Sequence, residues 1–310
     1  MPLDPQIEQM LAAMPEWPGV RGVPLDMLRQ SVHDSSVNIP PAADAIVART
    51  EDRAIAGPDG DLPVRIYWPQ AEGIRPIVIY FHGGGYVMGD LDTQDMIARA
   101  FCAWSDAIVV SVDYRLAPEH RFPAGIDDGY AALNWAAAHG AEIGGDNSRL
   151  GLAGDSAGGN IATALALRAR DQNGPKVKAL VNIYGSANAP TNPTPSAIEF
   201  ADGPILRSDD IQWFWENYLT HPEVEQNHQE ASPLRAESLA NLPAAFIGTA
   251  EYDPSRDDSE AFAARLADEG NEVVMKRYDG MVHGFASWVG FLPGARAVMQ
   301  ESSQFLRDHL

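Results

Sequence analysis

The chain is short of thiols, short of positive charge and without a long apolar stretch, and each shortage removes a class of protein. A single cysteine, Cys102, in 310 residues has no intrachain disulfide partner, which excludes a disulfide-stapled scaffold and fits a reducing compartment. Lysine and arginine together number 22 against 43 aspartate and glutamate, for a formal charge of -21. A surface of that sign repels phosphate backbones and anionic lipid, so nucleic acid is not an expected partner. No apolar run approaches the ~18 residues of a membrane-spanning helix. Residues 1–14 carry Asp4 and Glu8 in place of a basic segment leading into an apolar one, so neither membrane insertion nor a secretory leader is expected. The expectation is a soluble, cytoplasmic protein. Also missing are H-E-x-x-H, clustered Cys and His, G-x-G-x-x-G and G-x-x-x-x-G-K-[ST], so neither a metal nor a nucleotide cofactor is expected.

What is present is the material of an ordinary globule, 45% hydrophobic and 21% charged, enough for one large α/β core. Segments 48–55 and 62–68 flank Pro58-Asp59-Gly60-Asp61, whose Asp-Gly favours a tight turn, so an antiparallel hairpin opens the sheet. Strand-like runs at 77–81, 108–112, 150–153, 179–184, 244–249 and 272–278 then alternate with helix-like runs at 93–104, 126–139, 157–170, 255–267 and 295–309. That alternation predicts a mostly parallel central sheet with helices on both faces. Two stretches stand outside it, residues 1–45 and 188–228, and are expected as two parts of one helical layer; 46–187 and 229–310 then make the α/β body. The second stretch carries Trp213, Phe214, Trp215 and Tyr218 on a helix beginning at Ser208-Asp209-Asp210, and as a set these aromatics suit the wall of an apolar pocket.

The sharpest chemical signal is Gly154-Asp155-Ser156-Ala157-Gly158-Gly159-Asn160, between the strand 150–153 and the helix 157–170. It is G-x-S-x-G at a strand-to-helix turn, where small neighbours let the turn close around an exposed serine and the helix N-terminus favours negative charge at the reacting oxygen. Upstream, His82-Gly83-Gly84-Gly85-Tyr86 follows the strand 77–81. Successive glycines there allow backbone N–H groups to approach a developing oxyanion, and Gly84 and Gly85 with Ala157 are the expected donors. His82 precedes the serine and adjoins these donors, so it is expected to brace the loop with Gly83 and Asp155 rather than to act as a base.

A base following the serine is best supplied by His283, in Asp279-Gly280-Met281-Val282-His283-Gly284-Phe285, read as a loop directly after the strand 272–278. His221 and His228 lie in the polar stretch of the helical layer, and His309 is the penultimate residue. Asp253, after the strand 244–249 and before Pro254, is the acid expected to orient the imidazole, in preference to Asp257 and Asp258 within the following helix. Tyr86, Trp213, Phe214, Tyr184 and Val282 are the candidate substrate-binding residues.

Taken in order, His82-Gly83-Gly84-Gly85, Tyr114-Arg115-Leu116-Ala117-Pro118-Glu119, Gly154 to Asn160, Asp253-Pro254 with Arg256-Asp257, and Gly280 to Phe285 resemble the bacterial hormone-sensitive-lipase-like esterases over roughly residues 45–310. The resemblance implies an α/β-hydrolase fold with a helical cap. It further implies a cofactor-free carboxylesterase acting on short- to medium-chain acyl esters through Ser156, Asp253 and His283, and it is compatible with a homodimer through an edge strand. Ser255 departs from the pattern, since many members carry leucine there. A non-catalytic receptor on the same scaffold is the alternative, but the plant receptor that resembles this family lacks the triad histidine, which is present here.

Overall fold

The computed structural model describes residues 2–14 and 19–310; residues 1 and 15–18, which fall in the expected N-terminal part of the helical layer, lie outside the described residues. Strands form where β-branched and aromatic residues run without interruption. In β3 (Arg75–Phe81) and β4 (Ile108–Val112) nearly every side chain is buried, which marks strands covered on both faces. The period of two then sorts them. Ile77, Ile79 and Phe81 point into one apolar cluster with Leu150 and Leu152, while Val78 and Tyr80 point into the other with Val109 and Ala153.

The sheet has eight strands in the order β1-β2-β4-β3-β5-β6-β7-β8. β1 (Val47–Gly57) and β2 (Gly60–Pro69) are the expected hairpin, with Gly57 opposite Gly60 across the turn. β2 meets β4 antiparallel, and every later pairing, through β5 (Gly145–Asp155), β6 (Val177–Ile183), β7 (Ala244–Tyr252) and β8 (Val273–Val282), is parallel. One face is covered by α4 (Ala124–His139), α5 (Ala157–Asp171) and α9 (Arg256–Asp268), the other by α3 (Asp95–Ser105) and α10 (Pro293–His309). α5 is buried from Ala157 through Ala169, so it is an interior helix, small and apolar almost all round. Because β3 pairs with β4 on one side and β5 on the other, the strand order reverses there, and the carboxyl ends around that point open a crevice.

Three strands run past their expected bounds: β5 starts at Gly145 rather than 150, β7 reaches Tyr252 rather than 249, and β8 reaches Val282. Strand β8 does not stop at Tyr278 before a loop: after a break in register between Ala250 and Tyr252, pairing resumes with Tyr252 opposite Val282. Gly280 supplies the positive φ of 72° at that irregularity, and its N–H donates to Glu251 Oε2 at 2.7 Å. The consequence is functional, because β7 and β8 now end immediately before Asp253 and His283.

Outside the α/β body lie α1 (Pro5–Ala13), α2 (Leu25–Ser36), α6 (Pro195–Glu199), α7 (Ser208–Tyr218) and α8 (Pro222–Glu225). α2 and α7 are brought together although some 180 residues separate them in the chain. The Val20 N–H donates to Asp210 Oδ1 at 2.8 Å, and Arg21 pairs with Asp209 and Glu216. α1 sits elsewhere. Its Ile7 is fully buried in the apolar cluster that holds Met281 and Phe285, and the Asp4 N–H donates to Gly280 O at 3.1 Å. Among the described residues, no helix is long and apolar enough to cross a membrane.

Candidate active site

The carboxyl ends of β3, β5, β7 and β8 deliver four chain segments to one place. At the end of β5 the chain turns sharply into α5 at Ser156, whose φ of 52° and ψ of -124° lie where non-glycine residues rarely go, a strain of about 1–3 kcal/mol. The turn is held from both sides: the Ser156 N–H donates to Ile183 O at 2.9 Å and the Asn160 N–H to Ser156 O at 3.2 Å. Gly158 is obligatory, because a Cβ there would collide with the Phe81 and His82 main chain.

Ser156 Oγ stands 2.8 Å from His283 Nε2, and His283 Nδ1 stands 2.7 Å from Asp253 Oδ2. An ionised carboxylate only accepts, so Nδ1 carries the proton and Nε2 is left to accept from the serine hydroxyl. Asp253 is fully buried, and its other oxygen, Oδ1, accepts from the Ser255 N–H at 2.8 Å and the Ser255 hydroxyl at 2.7 Å. The Tyr184 ring, 5.0 Å from the imidazole centre, packs against His283.

The glycine loop after β3 is tied by Asp155 to the strand-to-helix elbow at Ser156. Asp155 Oδ1 accepts from Tyr80 Oη at 2.6 Å and from the Gly83 N–H at 3.0 Å. Burial pushes the Asp155 carboxyl up to about 6 in spite of those two donors. His82 braces the same loop: Nδ1 lies 2.8 Å from Gly83 O, the ring stacks on Tyr114 at 4.4 Å, and the Tyr114 hydroxyl donates to His82 O at 2.8 Å. Burial also depresses the His82 pKa, so the ring is held neutral. Gly84, at φ 130°, accepts from the Val87 and Met88 N–H groups. The Gly83 N–H is engaged by Asp155, whereas those of Gly84, Gly85 and Ala157 donate to no acceptor among the described residues.

These groups floor a cavity of about 380 Å³. Its walls are apolar: Val20, Leu28 and Val32 from the N-terminal segment face Leu206, Ile211, Phe214 and Trp215 from the second. Among the described residues no group of His, Cys, Asp and Glu is disposed to hold a metal ion.

A family model described as the alpha/beta hydrolase fold matches residues 78–287, a span that contains the elbow, the glycine loop and all three residues of the hydrogen-bonded chain. The chain belongs to the α/β-hydrolase fold family. Within it, the chain falls among the hormone-sensitive-lipase-like esterases. It is 44% identical to the esterase LipI of Mycobacterium tuberculosis over 275 residues, covering 87% of this chain and 81% of that one. It is 45% identical to the carboxylesterase NlhH of the same species over 252 residues, covering 80% and 78%. Among solved structures, the hyperthermophilic esterase of Pyrobaculum calidifontis superposes with a TM-score of 0.93 at 37% identity, with 99% of each chain covered.

Within this α/β-hydrolase the sequence candidates fall into two groups. Ser156, His283, Gly83, Gly84, Gly85, Asp155, Ala157, Tyr86 and Phe214 line the cavity, and Asp253 lies directly behind His283. Trp213, Tyr184 and Val282 do not line it. Trp213 is half-buried beside Phe214, with its ring edge-on at 5.6 Å. Tyr184 supports His283 from below, and Val282 is buried in the core. The 100° step of a helix explains the first: Phe214 and Trp215 face the cavity and Trp213 the flank. Ser255 stands out in the sequence only as a departure from the family pattern, with no role attached, and the α2 face is not among the candidates, although Leu28 and Val32 stand four apart on one helix face and Asp-x-Ser is a local turn signature.

Proposed function

We propose that this serine carboxylic ester hydrolase cleaves short- to medium-chain acyl esters with Ser156 as nucleophile, His283 as general base and acid, and Asp253 as the group that orients and balances the imidazole. The observation that carries the reading is the unbroken hydrogen-bonded chain from Ser156 Oγ through His283 to the buried Asp253 carboxylate. His283 Nε2 takes the Ser156 proton as Oγ attacks the ester carbonyl. The oxyanion is received by the three unengaged N–H groups of Gly84, Gly85 and Ala157, the last at the start of α5. His283 returns the proton to the departing alkoxide and the alcohol leaves. A water, deprotonated by the same Nε2, then hydrolyses the acyl-enzyme and restores Ser156. No metal or cofactor enters these steps.

In this reading α2 with its approach from residue 19, together with residues 188–228, serves as a cap over the catalytic parts 46–187 and 229–310, whereas α1 packs on the α/β body, and the apolar walls from α2 and α7 limit the acyl chain. The single thiol, Cys102, is buried, and we place the protein in the cytoplasm. A homodimer would form through β8, which closes the sheet and leaves Val274 and Met275 exposed; sedimentation velocity across a dilution series tests it.

Hydrolysis of p-nitrophenyl acetate, butyrate, octanoate and palmitate by the wild type and by Ser156→Ala tests the reading. The expected pattern is activity that falls beyond the medium chains and is abolished in the variant. A folded wild type inert on all four would favour a binding protein on the same scaffold, and full activity in the variant would remove Ser156 from the mechanism.

A further inference from the structure

Ser255 occupies the N-cap of α9, where a serine ordinarily turns Oγ to accept an N–H of the first turn. It does not do so here. Its backbone is helical, at φ -88° and ψ -2°, no side-chain cap bond forms, and the hydroxyl instead donates to Asp253 Oδ1 at 2.7 Å. The Ser255 N–H reaches the same oxygen at 2.8 Å. That N–H alone completes the local turn, so the hydroxyl is a second donor beyond what the backbone needs. Its mount is rigid. The Ser259 N–H donates to Ser255 O at 3.3 Å, and the single Ser259 hydroxyl proton is shared between Gly185 O at 2.9 Å and Ser255 O at 3.2 Å. Ser255 is buried, and it lines the cavity that holds Ser156 and His283.

We propose that Ser255 is a positioning residue for the ester hydrolysis: its hydroxyl fixes the carboxylate of Asp253 and thereby sets the aim and the basicity of His283. The inference rests on the assignment of Ser156, His283 and Asp253 as the triad. Asp253 has no exposed surface, so its charge is balanced only by the donors that reach it. With the hydroxyl in place Oδ1 holds two donors, both from Ser255, and Oδ2 holds His283. Without it, more of the negative charge acts on the imidazole, whose proton is then held more tightly. Asp155 also acts electrostatically with His283, and Tyr184 packs against the ring. Neither is altered by a change at Ser255.

The test is the pH dependence of p-nitrophenyl butyrate hydrolysis by the wild type, Ser255→Ala, Ser255→Thr and Ser156→Ala, with thermal melts and the proton resonance of His283 Nδ1–H. In Ser255→Ala we expect kcat to fall about tenfold and the acid limb of kcat/KM to move up by ~0.5–1 pH unit. KM should stay within about twofold, because binding is not what the hydroxyl serves. The Nδ1–H resonance should shift, and Ser255→Thr, which keeps a hydroxyl, should restore the wild-type profile. Should the alanine variant not fold, Ser255→Cys fills the same space with a weaker donor and should show the same changes in part. A folded Ser255→Ala with the wild-type kcat and acid limb overturns the proposal. So does a Ser255→Thr variant as impaired as the alanine one, which would make the residue a spacer. Activity surviving in Ser156→Ala is a separate outcome that overturns the triad itself.

Discussion

At the scale of single residues, Asp155 carries a burden that its place next to Ser156 does not reveal. Its buried carboxyl receives the Tyr80 hydroxyl and the Gly83 N–H, so it fixes the start of the loop whose next two N–H groups are the proposed oxyanion donors. Asp155→Ala leaves both donors buried and unpaired, at a cost of about 1–3 kcal/mol each. It should reduce kcat by about ten- to a hundredfold through misaligned donors, with KM little changed; steady-state kinetics with a chemical melt separate the two effects. Much of this residue-level chemistry is legible in the sequence because each motif is local. The order of glycines around Ser156 and after Phe81 dictates turns that no other residues fit. What is not legible is where a helical side chain points once packed, as the pair Trp213 and Trp215 shows: two positions apart and equally aromatic, only Trp215 reaches the cavity.

Elements explain how distant segments share that cavity. The start of α7 and the approach to α2 are joined through Asp210, buried, which accepts the Val20 N–H on one oxygen and the Arg207 N–H on the other. Asp210→Ala should loosen both segments, with faster hydrogen exchange over 19–36 and 208–218 and a rise in KM larger than the loss in kcat. Phe214 lies directly against Gly85, where an added Cβ would strike its ring, and so closes the cavity beside the proposed oxyanion donors. Phe214→Ala should raise kcat/KM for octanoate relative to acetate by about tenfold, since each accommodated methylene is worth about 1–3 kcal/mol. The periodicity of α2 and α7 is visible in the sequence, but their meeting is not, because nothing local records a contact between segments so far apart. The end of β8 is hidden for a related reason: a strand that breaks register at Gly280 and resumes reads in sequence as a strand followed by a loop.

For the whole molecule, an excess of acidic side chains means that some lie where burial works against their charge. Asp113, half-buried at the end of β4 near Asp90 and Asp92, is pushed up to about 6 from an ordinary 3.8, chiefly by burial. Below about pH 4 the carboxyl is neutral in both the folded and unfolded chain and carries no penalty. Between 4 and 6 the unfolded chain ionises first, and the stability associated with the neutral folded carboxyl is lost as pH rises, in full above 6. Asp113→Asn should therefore match the wild type at pH 4 and be more stable by about 1–2 kcal/mol at pH 7, as measured by urea unfolding at the two pH values. Reactivity at the Ser156 hydroxyl oxygen is read directly by a stoichiometric label: intact-mass and peptide analysis after treatment with a p-nitrophenyl phosphonate, for wild type and His283→Ala. One phosphonyl group per chain, located on Ser156 and formed far more slowly without His283, is the expected result. A label on any other residue, or equal labelling in both proteins, would contradict the assignment of Ser156 as a nucleophile activated by His283.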